Sequence, residues 1–92
     1  MYANFLLGRC TVTDEVRDKL QRIPLDFIAR HAVNEHGLIS NLERKRNQLA
    51  MQRAGKIISR YMVNPTNPED GFVEVETSAG WQTTTVRIKE QP

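Results

Sequence analysis

Three groups of residues have the types and spacing to do chemistry. The first is His31, Glu35 and His36, which combine imidazole and carboxylate, the vocabulary of a metal site or an acid–base pair. On a helix His31 and Glu35 share a face at i,i+4, but His36 projects about 100° away, and His-x-x-x-Glu-His is not a zinc-helix signature. Three ligands, as a small metal-dependent hydrolase would need, therefore require the helix to end at His36. The plainer alternative is a surface histidine pair near a helix C-terminus, where imidazolium interacts favourably with the dipole. The second group is basic. Between Ser40 and Arg60 the chain holds Arg44, Lys45, Arg46, Arg53, Lys56 and Arg60 against Glu43 as the single acid. Clustered Lys and Arg supply affinity for phosphate. Residues on a helix are 100° apart, however, so Arg44, Lys45 and Arg46 point to three sides and only Arg46 and Arg53 align. A solvated helix face is the competing explanation.

The third group is aromatic. Trp81 lies in Ser78-Ala79-Gly80-Trp81-Gln82, a hairpin tip, and with Phe72 and Tyr61 on neighbouring strands it could anchor a protein partner. Equally, it could fold back as a lid on the sheet edge. Cys10 is the single cysteine, so it forms no internal disulfide, in keeping with a reducing compartment, and it has no motif that marks a thiol nucleophile. There is no Gly-rich phosphate loop, cysteine pair or serine-nucleophile motif. No cofactor and no catalytic residue are implied, and a non-enzymatic role is favoured.

The elements that must position these residues can be read from pattern. Phe5 to Thr13 is β-prone and predicts a short strand or extended arm. Thr13 is a good N-cap for a helix through about Arg22, with Asp14 and Glu15 in its first turn and Val16 and Leu20 toward the core. Pro24 opens a second helix whose apolar stripe is Leu25, Ile28, Ala29 and Ala32, with Asp26 and Arg30 as an i,i+4 pair, ending at His36-Gly37. Ser40-Asn41-Leu42-Glu43 fits a capping box, so a third helix runs to about Arg53 and stops at Ala54-Gly55. Beyond Gly55 the period changes to two: Ile57, Ser59, Tyr61 and Val63 alternate with Ile58, Arg60 and Met62. A loop rich in Pro and Asn follows, then two β-prone runs, Phe72 to Thr77 and Gln82 to Lys89, joined as a hairpin. Val73 and Val75 share a face, as do Thr84, Val86 and Ile88.

The pattern predicts one α+β domain over residues 1–92: three helices packed on a three-stranded antiparallel meander, with an extra short N-terminal strand whose place in the sheet stays open. Ninety-two residues with 39% hydrophobic and 26% charged content are ordinary for a globular chain. A chain of this size builds deep clefts with difficulty. No run approaches a membrane span and Met1 to Leu7 lacks the pattern of a leader, so a cytoplasmic protein without membrane association is expected.

Several segments together resemble a family of small proteins encoded on bacterial plasmids and integrative elements. They include Leu7-Gly8, Thr13, Phe27-Ile28-Ala29-Arg30-His31, and Asn47, Ala50, Ile57, Ile58, Ser59 and Tyr61, with Thr77, Thr84 and Thr85 in the closing hairpin. The chain departs from that pattern at Glu35-His36, Ala54, Lys56, Ser78, Gly80-Trp81 and the ending Glu90-Gln91-Pro92. The resemblance implies an accessory protein of a mobile element and supplies no reaction. The partner expected is another protein or a second copy of this chain, met through Trp81, Phe72 and Tyr61, or alternatively DNA or RNA bound by the basic helix.

Overall fold

The computed structural model describes residues 4–91. Residues 1–3, part of the segment read as lacking a leader, and Pro92 lie outside that range. The order of elements is β1 (Arg9–Val12), α1 (Asp14–Leu20), α2 (Leu25–Ala32), α3 (Asn41–Arg53), β2 (Ile57–Met62), a 3-10 turn (Pro68–Asp70), β3 (Phe72–Thr77) and β4 (Thr83–Lys89).

Local chemistry explains most of these boundaries. The Thr13 hydroxyl accepts from the Val16 amide at 3.4 Å and caps α1. The helix ends at Leu20, short of the Arg22 expected, because Gln21 turns left-handed at φ 56° and returns its N–H to the Arg17 carbonyl. Both halves of the predicted capping box form at α3, the Glu43 amide donating to Ser40 Oγ and the Ser40 amide to Glu43 Oε1. Ala54, left-handed at φ 51°, stops that helix.

The sheet is four-stranded in the order β1-β4-β3-β2. β2, β3 and β4 make the expected antiparallel meander. The three-stranded antiparallel description is nevertheless too simple: β1 adds to β4 in parallel, Arg9 opposite Thr83 and Val12 opposite Val86, so the sheet is mixed. A parallel pair needs a long crossover, and everything from α1 to β3 forms it. Gly8 makes the arm's close approach workable. Its φ is +66°, and a Cβ there would lie 2.1 Å from the Gln82 carbonyl oxygen.

Period two sends Ile57, Ser59 and Tyr61 of β2, Val73, Val75 and Thr77 of β3, and Thr84, Val86 and Ile88 of β4 to one face. Val16 and Phe27 from α1 and α2 pack there with Tyr61, Val73, Val75 and Val86, the Phe27 and Tyr61 rings stacking at 4.8 Å. The stripe expected on α2 is rotated. Leu25 is 69% exposed, while Phe27, His31 and Ala32 are the buried positions. Hydrophobic spacing alone missed this, because the sheet offers α2 an aromatic ring to stack on and hydroxyls to bond.

The helix α3 packs against the edge of the sheet, along β2. Buried Asn47 donates to the Ile58 carbonyl at 2.8 Å and accepts from the Ile58 amide at 3.0 Å, so one side chain stands in for a neighbouring strand. Two residues on, the Arg60 amide donates to the His36 carbonyl and the Leu38 amide donates to the Arg60 carbonyl. The edge is thereby covered. Asn47→Ala is expected to lower stability by about 2 kcal/mol by leaving both Ile58 backbone groups without partners. Asn47→Asp, which keeps the acceptor but sets a buried carboxylate oxygen against the Ile58 carbonyl, should be at least as destabilising as Asn47→Ala in urea titrations at pH 7.

Candidate functional site

His31 and His36 are both buried, and neither is a surface histidine. His31 is 0% exposed and His36 is 6% exposed. The second helix ends at Ala32, before Glu35 and His36, so the i,i+4 relation between His31 and Glu35 does not exist. Asn34 turns left-handed at φ 64°, and His36 enters from a loop. The Glu35 carboxylate points outward to Arg30 at 3.7 Å and is 63% exposed. His31, Glu35 and His36 therefore do not converge as a ligand set, and among the described residues no three His, Cys, Asp or Glu side chains are grouped to hold a metal ion.

The structure instead joins the two histidines through Ser59. Ser59 Oγ lies 2.6 Å from His31 Nδ1 and 2.7 Å from His36 Nδ1. His31 Nε2 is 2.9 Å from Thr77 Oγ1, which is 2.7 Å from Thr84 Oγ1, and Thr84 donates to the Leu7 carbonyl at 2.7 Å. One end of this relay fixes every proton in it. A carbonyl only accepts, so Thr84 uses its single hydrogen on Leu7 and must accept from Thr77. Thr77 in turn accepts from His31 Nε2–H. A neutral His31 then has a bare Nδ1 that accepts from Ser59, and Ser59 accepts from His36 Nδ1–H.

His36 is thus held in its Nδ1–H tautomer, with the lone pair of Nε2 directed away from the relay. All buried side-chain nitrogens and oxygens among the described residues have hydrogen-bond partners, whereas Nε2 has none, so this atom reaches accessible space. His36 lines a cavity of about 230 Å³ together with Asn34, Arg44, Asn47, Gln48 and Met51. Burial, and then the neighbouring His36, depress the His31 pKa to about 3. Burial, and then the Arg44 charge, lower that of His36. Both rings are neutral near pH 7, as the relay requires.

The residues of the predicted basic cluster divide into two sets. Arg44, Lys45, Arg46, Arg53 and Lys56 are exposed on or beside α3. Arg60 departs from the expectation. It is 4% exposed and lies on the outer sheet face, where it donates to Glu43 at 2.8 Å and Glu74 at 3.0 Å. Arg87 and Lys89 also pair with Glu74. Burial raises the Glu74 pKa, but the hydrogen bonds from Arg60 and Arg87 outweigh it and the net shift is down. Buried and doubly bonded, Arg60 is withdrawn from any phosphate.

The aromatic residues do not form an exposed patch. Tyr61 is buried, stacked on Phe27, and its hydroxyl donates to the Glu35 carbonyl at 2.6 Å. Phe72 is 6% exposed. Trp81 takes the lid position: its indole N–H donates to the Gly55 carbonyl at 2.9 Å and its ring meets Phe5 at 5.6 Å. Tyr61 and Phe72 are thus buried and Trp81 is half-buried against the sheet end, so the three side chains do not present one exposed face. Cys10 is exposed on β1, and partial burial raises its thiol pKa, the opposite of what a thiolate nucleophile needs.

The relay residues Ser59, Thr77 and Thr84 were missed as a site. Their signal was visible as polar residues at inward positions of three successive strands. The relay makes a pH prediction. The ordinary His31 pKa is 6.5 and the folded value is about 3, so the unfolded chain takes up a proton the folded one refuses. The stabilisation is complete above about pH 6.5 and is lost as pH falls toward 3, by about 3 kcal/mol between pH 7 and 4 for this group. Glu43, lowered to about 2 chiefly by its Arg60 hydrogen bond, adds loss in the same direction below about pH 4.5. Urea midpoints across this range should fall steeply for the native chain, whereas His31→Gln should be less stable at pH 7 with a flatter profile. Comparison of the chain with family models, with curated proteins and with solved structures gives no match.

Proposed function

We propose that this protein is a non-enzymatic nucleic-acid-binding module that presents α3 to the phosphate backbone. The observation that carries the reading is the contrast between the cations on and beside α3 and those on the outer sheet face. Arg60, Arg87 and Lys89 are paired with Glu43, Glu74 or Glu76. Arg44, Lys45, Arg46, Arg53 and Lys56 have no acidic partner within 4.0 Å among the described residues.

The docking of α3 supports the same reading. Asn47 and Ala50 are its buried residues, so most of its circumference stays open. Leu42, Arg46, Leu49 and Arg53 recur at i, i+4, i+7 and i+11 and form one outward ridge, with Lys45 beside it. The helix is also rigidly held, by Asn47 on the β2 backbone and by the Glu43–Arg60 ion pair, so binding need not order it first. Managing its own DNA is a fitting task for an accessory protein of a plasmid or integrative element, the setting suggested by the resemblance in sequence.

Fluorescence anisotropy of labelled duplex and single-stranded DNA tests the proposal. With three phosphate contacts, from Lys45, Arg46 and Arg53, the affinity should fall roughly 40-fold between about 50 and 200 mM monovalent salt. The charge reversal Arg46→Glu with Arg53→Glu should abolish binding at physiological salt while leaving the fold intact. No binding at low salt, or binding indifferent to that double reversal, overturns it. A protein contact on the same ridge is the second reading, favoured by Leu42 and Leu49, 58% and 52% exposed. Concentration-dependent self-association that Leu49→Glu removes would select it.

A further inference from the structure

We propose that the cavity between α3 and the His36 loop is a nucleotide site, in which the base donates an N–H to His36 Nε2 and the phosphate meets Arg44. This shares Arg44 with the nucleic-acid reading and otherwise stands apart from it, since a free mononucleotide can occupy the cavity whether or not the α3 ridge binds polymer.

The case rests on an acceptor whose orientation is set from inside the protein. The relay running to the Leu7 carbonyl holds the proton on Nδ1 of His36, because moving it to Nε2 would leave one link without a proton, with an acceptor facing an acceptor. Nε2 is therefore a permanent acceptor on a ring that is 94% buried, and it has no partner within the protein. A ligand that satisfies it must bring an N–H or O–H.

The other walls narrow the choice. Arg44 makes the opening cationic, which disfavours a metal ion at Nε2 and favours an oxyanion on the ligand. Asn34 and Gln48 offer amides that can both donate and accept, the complement of a base edge. The Met51 thioether supplies a polarizable surface for a flat ring. The Asn47 amide oxygen and nitrogen are already bonded to Ile58, so Asn47 is a wall and not a reader. A planar heterocycle with N–H donors attached to a phosphate meets all of these demands. Such a group comes either as a free mononucleotide or as an unpaired nucleotide in a strand, where bases are read by their edges.

The experiment is a titration of the full chain, ring-labelled with 15N at histidine and followed by NMR. In the free protein His36 should show the Nδ1–H tautomer at pH 7; an Nε2–H tautomer would overturn the inference at its base. Adenosine, cytidine, guanosine and uridine monophosphates are then added separately, alongside ribose 5-phosphate and a short single-stranded oligonucleotide. A saturable shift of His36 Nε2 with at least one mononucleotide assigns the site to free nucleotides. A shift with the oligonucleotide alone assigns it to unpaired bases in a strand, and both support the proposal. Equal shifts with ribose 5-phosphate show an anion site without base recognition and overturn it, as does no shift with any probe at millimolar concentration. Gln48→Trp, at an exposed position on the cavity wall, should weaken the nucleotide response at least tenfold. The same variant should leave salt-dependent duplex binding by Arg46 and Arg53 unchanged, which separates failure of this site from failure of the α3 ridge.

Discussion

Ser59 Oγ has one proton and two imidazoles to satisfy, and the fold is arranged around that constraint. Placed at 0% exposure on the inner face of β2, it bonds a histidine from α2 on one side and a histidine from the following loop on the other. The relay continues through Thr77 and Thr84 to the arm that leads into β1. One chain of hydrogen bonds thus fastens the α2 helix, the His36 loop, three strands and the N-terminal arm. Buried polar groups are destabilising when unpaired, so any displacement of these parts leaves a donor or acceptor stranded in a low-dielectric interior. The relay specifies one arrangement where an apolar core of this small size would tolerate several.

A second polar system does similar work on the outer face. Glu74, 3% exposed, receives Arg60, Arg87 and Lys89, and Arg60 also reaches Glu43 in the first turn of α3. Glu43 serves the capping box and the ion pair at once. The start of α3 is therefore tied to the sheet by charge, and its middle by Asn47. These attachments use a narrow side of the helix. They leave the remainder, with its unpaired cations, free to face a partner.

The two faces of α3 link the proposals. One side carries the Arg46 and Arg53 ridge, suited to a polyanion held by charge. The flank near Arg44 closes the cavity over His36, where an acceptor of fixed orientation is suited to recognition by hydrogen bonding. Charge gives reach and the fixed acceptor gives discrimination, a division familiar in nucleic-acid binding, where phosphate contacts position and base contacts specify. Among the described residues no helix is long and apolar enough to cross a membrane.

The sequence by itself determined the local structure: the capping box at Ser40 and Glu43, the β2 alternation and the β3–β4 hairpin follow from contacts a few residues apart. It also placed polar Ser59, Thr77 and Thr84 at inward strand positions, although nothing local said what they would meet. Only the tertiary structure decided that β1 joins β4 in parallel, since that pairing spans nearly the whole chain and leaves no short-range pattern. Tertiary structure likewise withdrew Arg60 from the basic cluster and turned Trp81 inward, because the acid and the carbonyl that engage them lie far away in sequence. His31 and His36 show the same division most clearly. Their identities announced chemistry, but their roles depend on a hydroxyl donated by β2 and on a carbonyl at Leu7, partners that only folding brings within bonding distance.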